Sequence, residues 1–363
     1  MGFGLANLVF SPPLQLVLKM TAPSILASVQ QALAAATTAR ATTSAGLPEF
    51  RLRSGLQLPS IGLGCGYNPT EEAERGRTMI DTAIRCGYRH IDTAQRYGTE
   101  PAVGDALAEA FASGALRRAE VWVTTKVANP RPAFQGSGMQ VGGGIGYMLR
   151  RDVDAYEGLL EEFAGCLKSL RLEHVDLLLM HYPGQPPEDE QQDPGGPLTA
   201  AEATSKRLAA WRAMETIKAA GKARAVGVSN YCPRHLQEIE AAGMSLPEVN
   251  QIELHPRHQQ RALVEYCQHE GIVVTAFSPL NGADLTDPVL TAIAARHRVS
   301  PAGVVLRWLL QRGCVVIPKS MTPARVEDNL TAPASFALSA EEMAAIEALE
   351  DGHRLDIDVN NVL

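Results

Sequence analysis

Four side chains able to move a proton stand at or just beyond the ends of three short apolar runs. Arg89-His90-Ile91-Asp92 leads into Thr93-Ala94-Gln95-Arg96-Tyr97-Gly98, so a carboxylate, Asp92, closes one run and a phenol, Tyr97, follows five residues later. Val121-Trp122-Val123-Thr124-Thr125-Lys126 stops on an amine, and Asp176-Leu177-Leu178-Leu179-Met180-His181 stops on an imidazole. Reduction of a carbonyl by hydride needs a donor that gives a proton to the developing alkoxide. Tyrosine, with an ordinary pKa of about 10, is a poor acid or base near neutrality unless its surroundings help. An adjacent ammonium such as Lys126 stabilises the phenolate and lowers that pKa. A carboxylate such as Asp92 keeps the lysine charged and oriented, and an imidazole such as His181 can hold the carbonyl oxygen or share the proton. Each residue alone is usually packing or a satisfied polar group. Four of them, in order on three successive strand ends, form a proton-transfer site.

The elements that must position these groups alternate. From Phe50 onward short apolar runs follow helical patterns in turn, the signature of βαβ units and a parallel sheet. A hairpin (Phe50–Leu52, Gln57–Ser60) precedes a first barrel strand, Ile61–Cys65. The expected strands that follow are His90–Ala94, Val121–Val127, Val175–His181, Ala225–Ser229, Val249–Leu254, Val273–Phe277 and Cys314–Pro318. Between them lie helical patterns, three closed by Gly87, Gly221 and Gly271, and one opened by Ser300-Pro301, an N-cap with proline at the first helical position. Eight strands and eight helices predict one closed TIM (β/α)8 barrel, a fold that commonly needs about 250 residues and builds its active site where the strands end.

The run Gly87-Tyr88-Arg89-His90-Ile91-Asp92-Thr93-Ala94, with Tyr97, resembles the signature of the aldo-keto reductases. The resemblance extends over roughly Leu47–Leu349. It implies that Asp92, Tyr97, Lys126 and His181 are the catalytic tetrad and that NADPH is the cofactor. Other strand ends suit that cofactor. Ser229, Asn230 and Gln251 carry hydroxyl and amide groups able to hydrogen-bond a nicotinamide carboxamide. Phe277-Ser278-Pro279-Leu280 offers a stacking plane and a hydroxyl for a phosphate, and the family usually has Tyr where Phe277 stands. Lys319 and Arg325 flank a loop-to-helix junction where backbone N–H groups and the helix dipole also favour an anion, a sensible seat for a 2′-phosphate. The resemblance adds Ser320, Asn329 as the adenine-facing residue, and Asp328 where the family commonly has Glu. On the substrate side the family often presents Trp after the first strand. Here Gly66 stands near that position, so either the pocket is wider there or Tyr67 swings in beside His181 as a substitute. No Gly-x-Gly-x-x-Gly dinucleotide fingerprint is present, which disfavours a Rossmann-type oxidoreductase.

Bulk properties narrow the remaining choices. With 363 residues, 45% hydrophobic and 20% charged, the chain has ordinary globular composition. A net charge of −7 argues against a general nucleic-acid binder. Six dispersed cysteines, without Cys-x-x-Cys or metal-ligand spacing, read as free thiols in a reducing compartment. Residues 1–46 contain no Asp or Glu and only Lys19 and Arg40 as basic residues. No stretch there reaches the roughly 18 apolar residues of a membrane helix. Such a leader resembles an organellar transit peptide, plastid rather than mitochondrial; a disordered extension of a cytoplasmic protein is the alternative. Two long loops follow the third and fourth barrel strands, the Gly-rich Ala128–Ala155 and Tyr182–Ala203, and both are expected to govern substrate access. The partner is a small-molecule carbonyl substrate, with no membrane and no nucleic acid, and a monomer is the default. A barrel binding NADPH as a redox sensor or regulatory subunit without physiological turnover is the competing reading, and a hydrolase using Asp and His without a nucleotide is a weaker third.

Overall fold

Runs such as Val175-Asp176-Leu177-Leu178-Leu179-Met180 are apolar on both faces, which suits a parallel strand with side chains inside a barrel on one side and helices on the other. The computed structural model describes residues 47, 49–127, 154–184, 198–356, 358, 360 and 362. The transit-type leader, residues 1–46, and most of both long loops, residues 128–153 and 185–197, lie outside the described residues, as do the expectations placed on them.

An antiparallel hairpin, β1 (Glu49–Arg51) and β2 (Gln57–Pro59), comes first. The barrel strands are β3 (Leu63–Gly64), β4 (His90–Asp92), β5 (Trp122–Val127), β6 (Val175–Met180), β7 (Ala223–Ser229), β8 (Val249–Glu253), β9 (Val273–Phe277) and β10 (Cys314–Val316). They pair in parallel in sequence order from β3 to β10. The ring closes through a parallel bridge between Ile61 and Val316. Gly62 N–H donates to Val316 O (2.8 Å), Val316 N–H to Ser60 O (2.9 Å) and Gly64 N–H to Pro318 O (3.0 Å). The absence of a side chain at Gly64 permits that closure, because a Cβ there would stand 2.8 Å from the Ile317 carbonyl oxygen. The first strand is accordingly shorter than the expected Ile61–Cys65.

The helices are α1 (Ala73–Cys86), α2 (Glu100–Ala112), α3 (Ala155–Leu170), α4 (Ala200–Ala219), α5 (Pro233–Ala241), α6 (Arg261–His269), α7 (Pro288–His297), α8 (Pro301–Gln311), α9 (Pro323–Thr331) and α10 (Ala340–Glu347). Among the described residues none is long and apolar enough to cross a membrane. Helix α1 ends at Gly87 in the left-handed region (φ 102°), and Ser300 caps α8 by accepting from Gly303 N–H. Helix α4 starts at Ala200, where Thr199 and Glu202 form a capping box. Helices α7 and α10 exceed the expected eight. Both are Ala-rich, which dilutes the apolar periodicity, and both are started by capping side chains, Asp287 and Ser339.

One end of the barrel is plugged. Leu52 and Leu58 of the hairpin segment pack in a cluster with Trp122, Leu177, Leu179, Ala225, Val249 and Val315 from the strands. Glu248 ties the plug down, accepting from Ser54 N–H (3.0 Å) and pairing with Lys218 (2.5 Å). Water is thereby kept from the end where the strands begin, and the other end is left for chemistry.

Two buried histidines make stability pH-dependent. His90 lies 2.9 Å from Thr124 Oγ1, and burial pushes its pKa down to about 4; burial, with Arg207 and Arg234 adding to it, pushes His235 down to about 3. An unfolded histidine titrates near 6.5. Between about pH 6.5 and 4 the unfolded chain therefore binds a proton at each site that the folded chain does not. Stability rises with pH through that window and falls on acidification, by about 1.4 kcal/mol per pH unit for each histidine. Urea unfolding at pH 7 and pH 5 should show this loss, and His235→Gln should reduce it. An identical pH dependence in the variant would contradict the assignment.

Candidate active site

Each proton-handling side chain is held by a strand end. Asp92 is the last residue of β4, Lys126 lies at the end of β5, and His181 directly follows β6, its N–H bonded to Val127 O at 2.8 Å. Tyr97 sits on a short 3-10 turn, Gln95–Tyr97, that ends at Gly98 in the left-handed region (φ 69°). The turn is pinned beneath by Thr99, whose hydroxyl lies 2.8 Å from Thr93 Oγ1 and donates to Cys65 O at 3.0 Å.

The ammonium of Lys126 is at the centre. Its Nζ donates to Asp92 Oδ1 (2.5 Å), to Thr93 O (2.9 Å) and to Tyr97 Oη (3.4 Å), so its three protons have three acceptors. Both members of the ion pair are inside the protein, with side chains 0% and 3% exposed. The other Asp92 oxygen accepts from Gln251 Nε2 at 2.8 Å. The Tyr97 and His181 rings meet edge to face with centroids 5.5 Å apart. The four residues read from the sequence are therefore brought together.

Their charge states follow. Burial works against the Lys126 charge, but Asp92 and Tyr97 outweigh it and hold the lysine pKa above its usual value. Burial pushes the Tyr97 phenol up, Lys126 pulls it down and Asp92 pushes it up again, and the balance stays above the ordinary value. The ammonium does pull the phenol down, as expected, but burial is the larger effect. At neutral pH Tyr97 carries its proton. Burial, then Lys126 and Arg96, hold His181 well below the usual histidine value, so its imidazole is neutral.

The residues expected to meet a nicotinamide are knitted to the same network. Ser229 Oγ donates to Gln251 O (2.8 Å), and Asn230 Nδ2 donates to His181 O (3.0 Å) and Ser229 Oγ (3.2 Å). Asn230 takes a left-handed conformation (φ 64°), as does Ser278 (φ 49°), which follows Phe277 at the end of β9. Phe277, Ser278 and Leu280 are half-buried. Around the start of α9, Lys319 and Arg325 are exposed and neither side chain is paired among the described residues. Ser320 Oγ accepts from Thr322 N–H (3.2 Å). Asp328 accepts from Ser300 Oγ (2.5 Å), tethering it to the start of α8, and Asn329 is buried. This donor set fits a phosphorylated dinucleotide: unpaired cations beside a helix N-terminus for phosphate, and amides and a half-buried aromatic ring nearer the tetrad.

One expected site residue is placed elsewhere. Tyr67 is buried in the core with its ring against α1, where Gly76 leaves a slot; a Cβ on Gly76 would lie 2.3 Å from the Tyr67 ring. It therefore does not line the rim beside His181. Gly66 is exposed, and a Cβ there would stand 3.5 Å from the Tyr97 ring. Sequence reasoning missed the Thr93 carbonyl, the amide of Gln251 on Asp92, and Tyr182, whose ring stacks on His181. Only the adjacency of Tyr182 to His181 offered a signal.

The chain is similar over most of its length to known proteins. The profile of the Aldo/keto reductase family matches residues 60–351. A 9,11-endoperoxide prostaglandin H2 reductase of Trypanosoma cruzi is 37% identical over 314 residues, covering 85% of this chain and 94% of its own. A glyoxal reductase of Bacillus subtilis is 35% identical over 314 residues, covering 86% and 96%. The crystal structure of a Bombyx mori aldo-keto reductase in complex with NADP superposes with a TM-score of 0.72 at 31% identity, over 86% of this chain and 95% of that one.

The neutral imidazole is directly measurable. In a ¹⁵N NMR titration, His181 should remain unprotonated at about pH 6.5, where an ordinary histidine is half-protonated. A midpoint at or above that pH would contradict the charge states above.

Proposed function

Because the chain belongs to the aldo/keto reductase family, we propose that it reduces an aldehyde or ketone to the alcohol with NADPH, using Tyr97 as the proton donor. The observation that carries this reading is the Lys126 ammonium, 2.5 Å from Asp92 and 3.4 Å from the Tyr97 hydroxyl, with the His181 ring against Tyr97. A sensor that only binds a nucleotide has no use for such a proton donor.

In this mechanism Ser229, Asn230 and Gln251 orient the carboxamide, Phe277 gives a stacking face, and Ser278 and Leu280 line the phosphate path. Lys319, Ser320 and Arg325 hold the 2′-phosphate, and Asp328 and Asn329 stand on the adenosine side. When bound, the nicotinamide supplies the hydride. As the carbonyl oxygen gains negative charge, Tyr97 Oη transfers its proton to it, and the alcohol forms. Lys126 stabilises the phenolate left behind, and Asp92, held by Gln251, keeps Lys126 charged. His181, being neutral, donates a ring N–H to the same oxygen without competing to protonate it. Solvent then returns a proton to Tyr97.

Two variants test the assignments. Tyr97→Phe should keep NADPH affinity while aldehyde reduction falls about a hundredfold to ten-thousandfold, the usual contribution of a general acid. A variant retaining most of its turnover would remove Tyr97 from the mechanism. Arg325→Ala should weaken NADPH about tenfold or more, the range of a hydrogen bond to a charged group, with little effect on NADH. Equal losses for both cofactors would show that Arg325 does not read the 2′-phosphate.

A further inference from the structure

Glu253, the last residue of β8, is a buried carboxylate for which proton transfer has no use. Its Oε1 accepts from His255 Nε2 (2.9 Å) and Leu355 N–H (2.8 Å), and its Oε2 accepts from Asp356 N–H (2.8 Å). Burial pushes its pKa up, but these hydrogen bonds outweigh burial and hold it below the usual carboxylate range. Glu253 thus stays ionised as a clasp on backbone more than a hundred positions away in sequence. The same segment is tied to the loop after β8 by Glu350, which accepts from Gln259 N–H (2.6 Å), and by Asp351, which pairs with Arg257 (2.7 Å).

The clasped segment ends at the catalytic wall. Asp356 Oδ2 accepts from Tyr182 Oη at 2.5 Å. Tyr182 follows His181, is 5% exposed, and stacks on the imidazole with centroids 5.2 Å apart and planes 21° from parallel. A buried phenol needs a partner for its hydroxyl, and a carboxylate is the stronger kind. The hydroxyl held by Asp356 restrains the Tyr182 ring, whose face lies against the imidazole.

We propose that Asp356 is a positioning residue: held by Glu253, it fixes the Tyr182 hydroxyl, and the Tyr182 ring sets the plane of the His181 imidazole. The role of that plane in carbonyl binding rests on the reductase reading above; the mechanical link does not.

The test uses the full chain with Tyr182→Phe, which keeps the ring, Asp356→Ala, which removes the acceptor, and Asp356→Asn, which retains an acceptor oxygen. Without cofactor, Tyr182→Phe and Asp356→Ala should shift or broaden the His181 imidazole ¹⁵N signals alike, with the Asp356→Asn spectrum near wild type. With NADPH and 4-nitrobenzaldehyde, both should raise the aldehyde KM about fivefold or more, with NADPH affinity unchanged and Asp356→Asn restoring most of the loss. The double variant should be no worse than either single one, because both remove one link. Unchanged His181 signals in Tyr182→Phe would overturn the proposal, and so would losses that multiply in the double variant. If the wild-type protein reduces no carbonyl, the reductase reading fails and the NMR comparison alone decides the positioning role.

Discussion

The ion pair between Lys126 and Asp92 is the constraint around which the rest is arranged. Removing two charges from water costs several kcal/mol per ion unless geometry and added hydrogen bonds offset it. Here every Lys126 proton has an acceptor and both Asp92 oxygens are engaged, one by Lys126 and one by Gln251. That arrangement draws on β4, β5 and β8 at once, so it exists only if the barrel closes. Closure in turn depends on the tight approach of Gly64 to the Ile317 carbonyl. The hairpin plug keeps water from the opposite end, where Leu177 and Leu179 meet Leu52 and Leu58.

Given the pair, the roles of its neighbours follow from charge. Burial, with the Lys126 ammonium adding to it, keeps the nearby imidazole neutral, and burial outweighs the same ammonium in keeping the proton on Tyr97. Asp92, Lys126 and His181 are thus held inside, with Tyr97 half-buried beside them. Lys319 and Arg325 are exposed and unpaired among the described residues, a state that favours capture of an anion rather than packing. The C-terminal segment runs from the loop after β8 to Tyr182, the residue beside His181.

The convergence of Asp92, Tyr97, Lys126 and His181 was legible because these residues differ sharply in type from the apolar runs they follow, and strand ends in a barrel converge whatever the intervening sequence. Helix ends were legible where Gly87 or Ser300 supplied a backbone or capping reason. Tyr67 was misread because its direction depends on a slot at Gly76 in a different element, which no local pattern reveals. The pull of Lys126 on the Tyr97 phenol was legible because charge neighbours can be guessed from motifs, whereas the degree of burial that outweighs it cannot. The Thr93 carbonyl carries no side-chain signature at all. Glu253 and Asp356 each look like ordinary acidic residues, and their partnership spans a separation that only the folded chain closes. Helices α7 and α10 were hidden by alanine-rich composition that blurs the apolar period.

The central claim is that Lys126 and Asp92 act as one unit in driving proton transfer from Tyr97. A double-mutant cycle tests it most directly, measuring single-turnover NADPH oxidation at saturating aldehyde for Asp92→Asn, Lys126→Met and the double variant, with NADPH binding checked in each. The account predicts that each single change slows the step by a similar large factor and that the double variant is scarcely slower than either. Losses that multiply, or an Asp92→Asn protein that turns over near the wild-type rate, would contradict it.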